Sequence, residues 1–164
     1  MPRNSYHDTP VVEFHEAFGA PVAWKPTVPP ADRIELRLRL IFEEAIVELS
    51  RAVGLDPSEL ETAFEIMLRT PPGAVDLISV ADSLTDARYV IDGACLEFGL
   101  PAEKLLREAH RSNMSKLGPD GKPILREDGK ILKGPNFTLP DLKSILDLYS
   151  QLPNAGVKLG SEEC

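Results

Sequence analysis

Sulfur and imidazole are scarce in this chain, whose 164 residues include two cysteines and three histidines. Cys95 falls inside a helical pattern and Cys164 is the last residue, so neither a disulfide framework nor a Cys/His zinc site is indicated. A reducing cytoplasm is the expected compartment. Long apolar runs are missing too: none approaches the roughly 18 to 20 residues of a membrane span. The opening residues, Met1-Pro-Arg-Asn-Ser-Tyr-His-Asp8, lack the apolar centre of a signal peptide. Basic residues are in deficit, 18 against 26 acidic, for a formal charge of -8. That balance argues against nucleic acid or an anionic membrane as partner.

What the chain does have is 43% hydrophobic residues, enough for a core without cross-links. Proline and glycine divide it into helical segments. A short helix starts at Asp8 or Thr9, with Pro10 in its first turn, and stops at Gly19. After the proline-rich link 21–30, a long helix runs from about Ala31 to Val53, closed by Gly54. Asp56-Pro-Ser-Glu59 caps a third helix that ends before Pro71. A fourth spans Val75 to Phe98, and Pro101 opens a fifth that runs to Leu117. Between Gly118 and Pro135 the sequence Asp-Gly-Lys occurs twice, and Asp128-Gly129 marks a small hairpin flap over 119–135. Thr138 is the expected cap of a last helix that reaches about Leu152. The expected fold is thus a single all-α domain over 1–153, a bundle of five to six helices with one β-hairpin, followed by a flexible tail at 154–164.

Two acidic pairs stand out: Glu44/Glu48 in Phe42-Glu-Glu-Ala-Ile-Val-Glu-Leu49, and Asp82/Asp86 in Val80-Ala-Asp-Ser-Leu-Thr-Asp-Ala87. Each is spaced i, i+4, so each projects two carboxylates from one side of a helix. Gathered around one point, such hard oxygen donors suit Mg²⁺ or Mn²⁺. On the long helix, Ile34, Leu38, Ile41, Ala45, Leu49 and Ala52 form one apolar face, and Leu36, Leu40 and Val47 a second strip. Glu44 and Glu48 fall between the two, whereas Glu43 lies with Arg39 and Ser50 on the solvent side. Carboxylates flanked by apolar surface need a partner, either a cation or a salt bridge to Arg33, Arg37 or Arg51. Asp82 and Asp86 lie opposite their helix's apolar face, exposed to solvent or to a second packed helix.

These segments, together with Glu108-Ala-His-Arg-Ser-Asn-Met-Ser-Lys-Leu117 and the Asp-Gly-Lys hairpin, resemble the all-α nucleoside triphosphate pyrophosphohydrolases over about residues 13–146. That superfamily takes in MazG-like proteins, dimeric dUTPases and phosphoribosyl-ATP pyrophosphohydrolase, and the MazG-like branch is the most similar. The resemblance implies metal-dependent hydrolysis of a nucleoside triphosphate to monophosphate and pyrophosphate, in a homodimer or homotetramer. It assigns the metal to Glu44, Glu48, Asp82 and Asp86, and makes Glu43 a second-metal ligand or water base beside Glu44. Lys116 and Asn113 are its phosphate or sugar contacts, with Lys130 and Lys133 on the flap as further phosphate contacts. The chain departs from the pattern twice: its glutamate motif is one residue wider, and Ser83 stands where a glutamate is expected. Housecleaning of dUTP or another surplus nucleotide is the implied role. A non-catalytic nucleotide-binding regulator and a helical interaction module, with salt-bridged acidic pairs, are the alternatives.

Overall fold

In a computed structural model the structure describes residues 9–70, 73–126 and 131–152. They form six helices: α1 (Pro10–Ala17), α2, α3 (Ser58–Leu68), α4 (Leu77–Glu97), α5 (Ala102–Met114) and α6 (Leu142–Ser150). Helix α2 begins as Ala31–Phe42, passes through a π-helical turn at Glu43–Glu48 and finishes as Leu49–Ala52. The chain divides into two compact units, residues 1–24 with 86–164, and residues 25–85.

In the first unit, Pro10 opens α1 because its missing N–H costs nothing where the helix has no partner for it. Phe18 at the helix end is buried and its ring stacks on Phe14, with centroids 4.3 Å apart. Helix α1 is tied to α5 by a bond between Glu13 Oε2 and His110 Nε2 at 3.0 Å. His110 is therefore a structural residue.

Beyond α5, among the described residues, the expected hairpin shows two isolated antiparallel bridges, Leu117 with Pro123 and Leu125 with Ile131. The Asp128-Gly129 turn, Lys130 and the tail at 154–164 lie outside the described residues. The returning segment presses onto the end of α5, where the Gly134 N–H donates to the Lys116 carbonyl at 3.0 Å. A side chain there would collide, since a Cβ on Gly134 would lie 2.5 Å from the Leu117 carbonyl oxygen.

Thr138 is not the cap of the last helix. Its hydroxyl accepts from Arg111, and its carbonyl accepts from Ser112 Oγ at 2.8 Å, so it is spent on holding the segment against α5. The cap is Asp141, whose side chain accepts the Ser144 N–H at 3.1 Å. Thr138 and Asp141 both precede an apolar run, and local sequence does not choose between them.

In the second unit, Pro30 precedes α2 and takes the N–H groups of Arg33 and Ile34 on its carbonyl. Gly54, at φ 84°, ends the helix in the left-handed conformation that costs glycine least. Just before α3, whose N-cap is Pro57, the Asp56 side chain accepts the Ser58 N–H at 3.0 Å. Phe42 of α2 and Phe64 of α3 stack with ring centroids 3.9 Å apart. Val47 is fully buried.

Helix α4 has no buried residue among those described. Its apolar side chains are exposed on all sides, with Ile78, Tyr89 and Leu96 each about four-fifths open to solvent. On α2, Leu38, Ile41 and Leu49 of one apolar strip and Leu36 and Leu40 of the other are also exposed. Helices that are apolar around their circumference are ordinarily covered.

Candidate functional site

The acidic side of α2 owes its form to the π turn. At about 100° per residue an α-helix sets Glu43 roughly 140° from Glu48, whereas an i→i+5 turn of about 4.4 residues cuts that to roughly 50°. Within the turn Val47 is fully buried, whereas Glu43, Glu44 and Glu48 are all exposed. Glu43 is exposed, as α-helical periodicity assigns it. Contacts agree with the winding: one nitrogen of Arg51 lies 2.7 Å from Glu48 and 3.9 Å from Glu43.

The three glutamates differ in what they touch. Glu48 and Glu43 share Arg51, whose other terminal nitrogen donates to Glu61 of α3 at 2.9 Å. These bonds, with Glu48 first, hold the Arg51 guanidinium above its ordinary pKa. Glu44 is exposed and makes no hydrogen bond or ion pair among the described residues. Nearby, Arg39 is clamped by Glu35 and Glu65, and bonding to Arg39 holds the Glu65 carboxyl below its usual range. A cleft of about 270 Å³ lies between α2 and α3, lined by Arg39, Phe42, Glu43, Glu61, Phe64 and Glu65.

Asp82 and Asp86 stand one turn apart on α4, both exposed and without a bonded partner among the described residues. Ser83, between them, is exposed as well. The start of this helix is fixed by Asp76, whose two oxygens accept the Ile78 N–H at 2.9 Å and Ser79 Oγ at 2.7 Å. Bonding to Ser79 holds the Asp76 carboxyl low. Among the described residues no three His, Cys, Asp or Glu side chains form a ready-made metal cluster.

The expected substrate contacts lie in the unit of residues 1–24 and 86–164. Lys116 follows α5, and its ammonium donates to Asn113 Oδ1 at 2.7 Å in a half-buried setting, so the structure brings these two side chains together. Lys133 sits over the Phe137 ring, 4.5 Å from its centroid, a cation–π contact that holds it beside the docked segment. Arg111 pairs with Glu108 and reaches Thr138 and the Leu139 carbonyl, which makes it part of the scaffold. Phe14 and Phe18 belong to the packed interior of their unit, whereas Trp24 is half exposed.

Residue identity alone left three roles unassigned. Glu61 and Glu65 repeat at i, i+4 on α3, a pattern equal to that of the two chosen pairs, and only their arginine partners separate them. Glu108 lies three before Arg111, a spacing that announces an ion pair but not its bond to a distant backbone N–H.

The model of the phosphoribosyl-ATP pyrophosphohydrolase family matches residues 11–113. That span contains Glu43, Glu44, Glu48, Asp82 and Asp86 and ends at Asn113, short of Lys116 and the docked segment. A crystal structure from Exiguobacterium sp. 255-15, described provisionally as an NTP pyrophosphohydrolase, is similar at 30% identity and a TM-score of 0.71, over 92% of this chain and 99% of that one. No curated protein matches the chain.

Proposed function

The chain belongs to the phosphoribosyl-ATP pyrophosphohydrolase family, and from that premise we propose that it hydrolyses nucleoside triphosphates between the α and β phosphates with the help of Mg²⁺ or Mn²⁺. The observation that carries the reading is that Glu44, Asp82 and Asp86 are exposed carboxylates with no protein partner among the described residues.

The chemistry of the donors suits such a cation. Glu44, Glu48, Asp82 and Asp86 offer only hard carboxylate oxygens, all exposed, and three of the four are unpaired among the described residues. A cation held there would neutralise phosphate charge and acidify a bound water. Glu43 accepts the proton of the water whose oxygen attacks the α phosphorus. The bond from that phosphorus to the bridging oxygen breaks, and pyrophosphate leaves. Lys116, oriented by Asn113, meets the phosphate charge as a point cation. Lys133 and Lys130 are auxiliary contacts.

The active form is a homodimer or a pair of dimers. Support comes from α4 and α2, whose apolar side chains are exposed on more than one face, an arrangement a second copy would cover.

A surplus deoxynucleotide such as dUTP is the first substrate to test. The name of the matching family favours phosphoribosyl-ATP as the second. Pyrophosphate release from a panel of dNTPs, NTPs and phosphoribosyl-ATP, with and without Mg²⁺ or Mn²⁺, decides the matter. Metal-dependent nucleotide binding without release would make the protein a regulator, and absence of both would leave a helical interaction module.

A further inference from the structure

We propose that the groove between α5 and α6 binds a phosphate monoester with an apolar body, held through Lys104, Arg107 and Tyr149. None of the three takes part in the reaction proposed above, and the groove stands without the acidic pairs.

The groove measures about 560 Å³, within the range of small-molecule sites. Its two walls differ in chemistry. Lys104, Arg107 and Arg111 line it from α5, and at about 100° per residue they fall within roughly 60° of one another on that helix. Ile145, Leu148 and Tyr149 line it from α6, a largely apolar strip at i, i+3 and i+4. In a chain of formal charge -8, a wall with three cations is a local reversal of sign.

The cations are not equally free. Arg111 spends its guanidinium on Glu108, Thr138 and the Leu139 carbonyl. Arg107 donates to Glu103 from Nη2, which leaves its Nε and Nη1 without a bond among the described residues. The Lys104 ammonium and the Tyr149 hydroxyl have no partner at all among them. Glu108 is the acid in the lining, yet it does not repel an anion as a bare carboxylate would. Arg111 and the Asp141 N–H already meet its charge, and they hold its carboxyl well below the usual range.

Three side chains with open donors on one groove match the three terminal oxygens of a phosphate ester better than the two of a carboxylate. Beside them Ile145 and Leu148 offer apolar surface, with Leu148 60% exposed. Inorganic phosphate would leave that surface wet, whereas an ester with an apolar body would cover it.

The test is NMR titration of the full chain, free of divalent cations, with phenyl phosphate, AMP and inorganic phosphate, read at the backbone amides of residues 104–111 and 145–149. Phenyl phosphate should shift amides in both helices, and inorganic phosphate should bind there about 10-fold more weakly for want of an apolar body. Lys104→Gln and Arg107→Gln should each weaken phenyl phosphate about 10-fold, the scale of a charge-assisted hydrogen bond. Tyr149→Phe should weaken it about 5-fold. All three positions reach solvent, so the variants keep the fold, which the remaining amides check. AMP binding at least as tight as phenyl phosphate would make a nucleoside the body, and weaker binding a simpler apolar group; either keeps the site. No shift from phenyl phosphate at these amides, or affinity unchanged in Lys104→Gln and Arg107→Gln, would overturn it. Equal affinity for inorganic and phenyl phosphate would remove the apolar body, and the proposal with it.

Discussion

Glu108 and Asp141 lie 33 residues apart, yet the carboxylate of the first accepts the backbone N–H of the second at 2.7 Å. The same carboxylate receives Arg111, which reaches on to Thr138 and the Leu139 carbonyl. One acidic side chain on α5 therefore sets where α6 begins, and with it the path of the segment that covers Lys116.

This bond makes stability depend on pH in a defined direction. Bonding from Arg111, and then from the Asp141 N–H, holds the Glu108 carboxyl at about 2, below its ordinary 4.5. A carboxyl with a depressed pKa stabilises the fold above its unfolded value and loses that contribution as pH falls toward the folded one. Glu108→Gln should thus lower the melting temperature above pH 4.5, with the gap to wild type narrowing between pH 4.5 and about 2. A gap that stayed constant across that range would exclude the linkage.

Gly134→Ala places a methyl group 2.5 Å from the Leu117 carbonyl and 2.8 Å from that of Lys116, where backbone must move to admit it. The expected cost is about 1 to 3 kcal/mol in urea unfolding, typical of forced overpacking. Amide exchange should rise from Leu132 to Phe137, because the Gly134 and Phe137 N–H bonds belong to the same docked turn. Unchanged exchange there would mean that the contact is not needed.

Glu44→Gln and Asp86→Asn remove charge from exposed positions without partners among the described residues, so neither should change the melting temperature appreciably. Each should cut pyrophosphate release by at least about 100-fold, as expected when a metal ligand or a charge at the reacting phosphate is lost. Retained activity in both would remove these residues from the site. Lys116→Ala should raise KM more than it lowers kcat if Lys116 meets phosphate in the ground state.

Ile78 and Leu96 are 82% and 81% exposed on α4. Light scattering of the wild type at micromolar concentration should give at least a dimer mass. Leu96→Glu or Ile78→Glu should shift it toward monomer, since an unpaired charge in a buried interface is strongly unfavourable. A clean monomer for the wild type would count against the assembly.

The all-helical class, the six helices and most of their ends were legible in the chain, because apolar periodicity and Pro, Gly or Asp at the boundaries are local signals. The acidic pairs were legible for the same reason: i, i+4 spacing on a helix fixes a common side. Membership in a pyrophosphohydrolase family was also carried by the sequence, through α2, α4 and the end of α5. Only tertiary structure decided the rest. That Glu43–Glu48 winds as a π turn is seen only in the structure, where Val47 is buried and Arg51 pairs across to Glu61 of α3. Thr138 and Asp141 are equal as caps until Arg111 and Glu108 claim one each. Glu48 and Glu44 look alike in the chain, and the position of one arginine makes them different. Such choices rest on contacts between distant residues, whose energies exceed the local preferences that sequence alone displays.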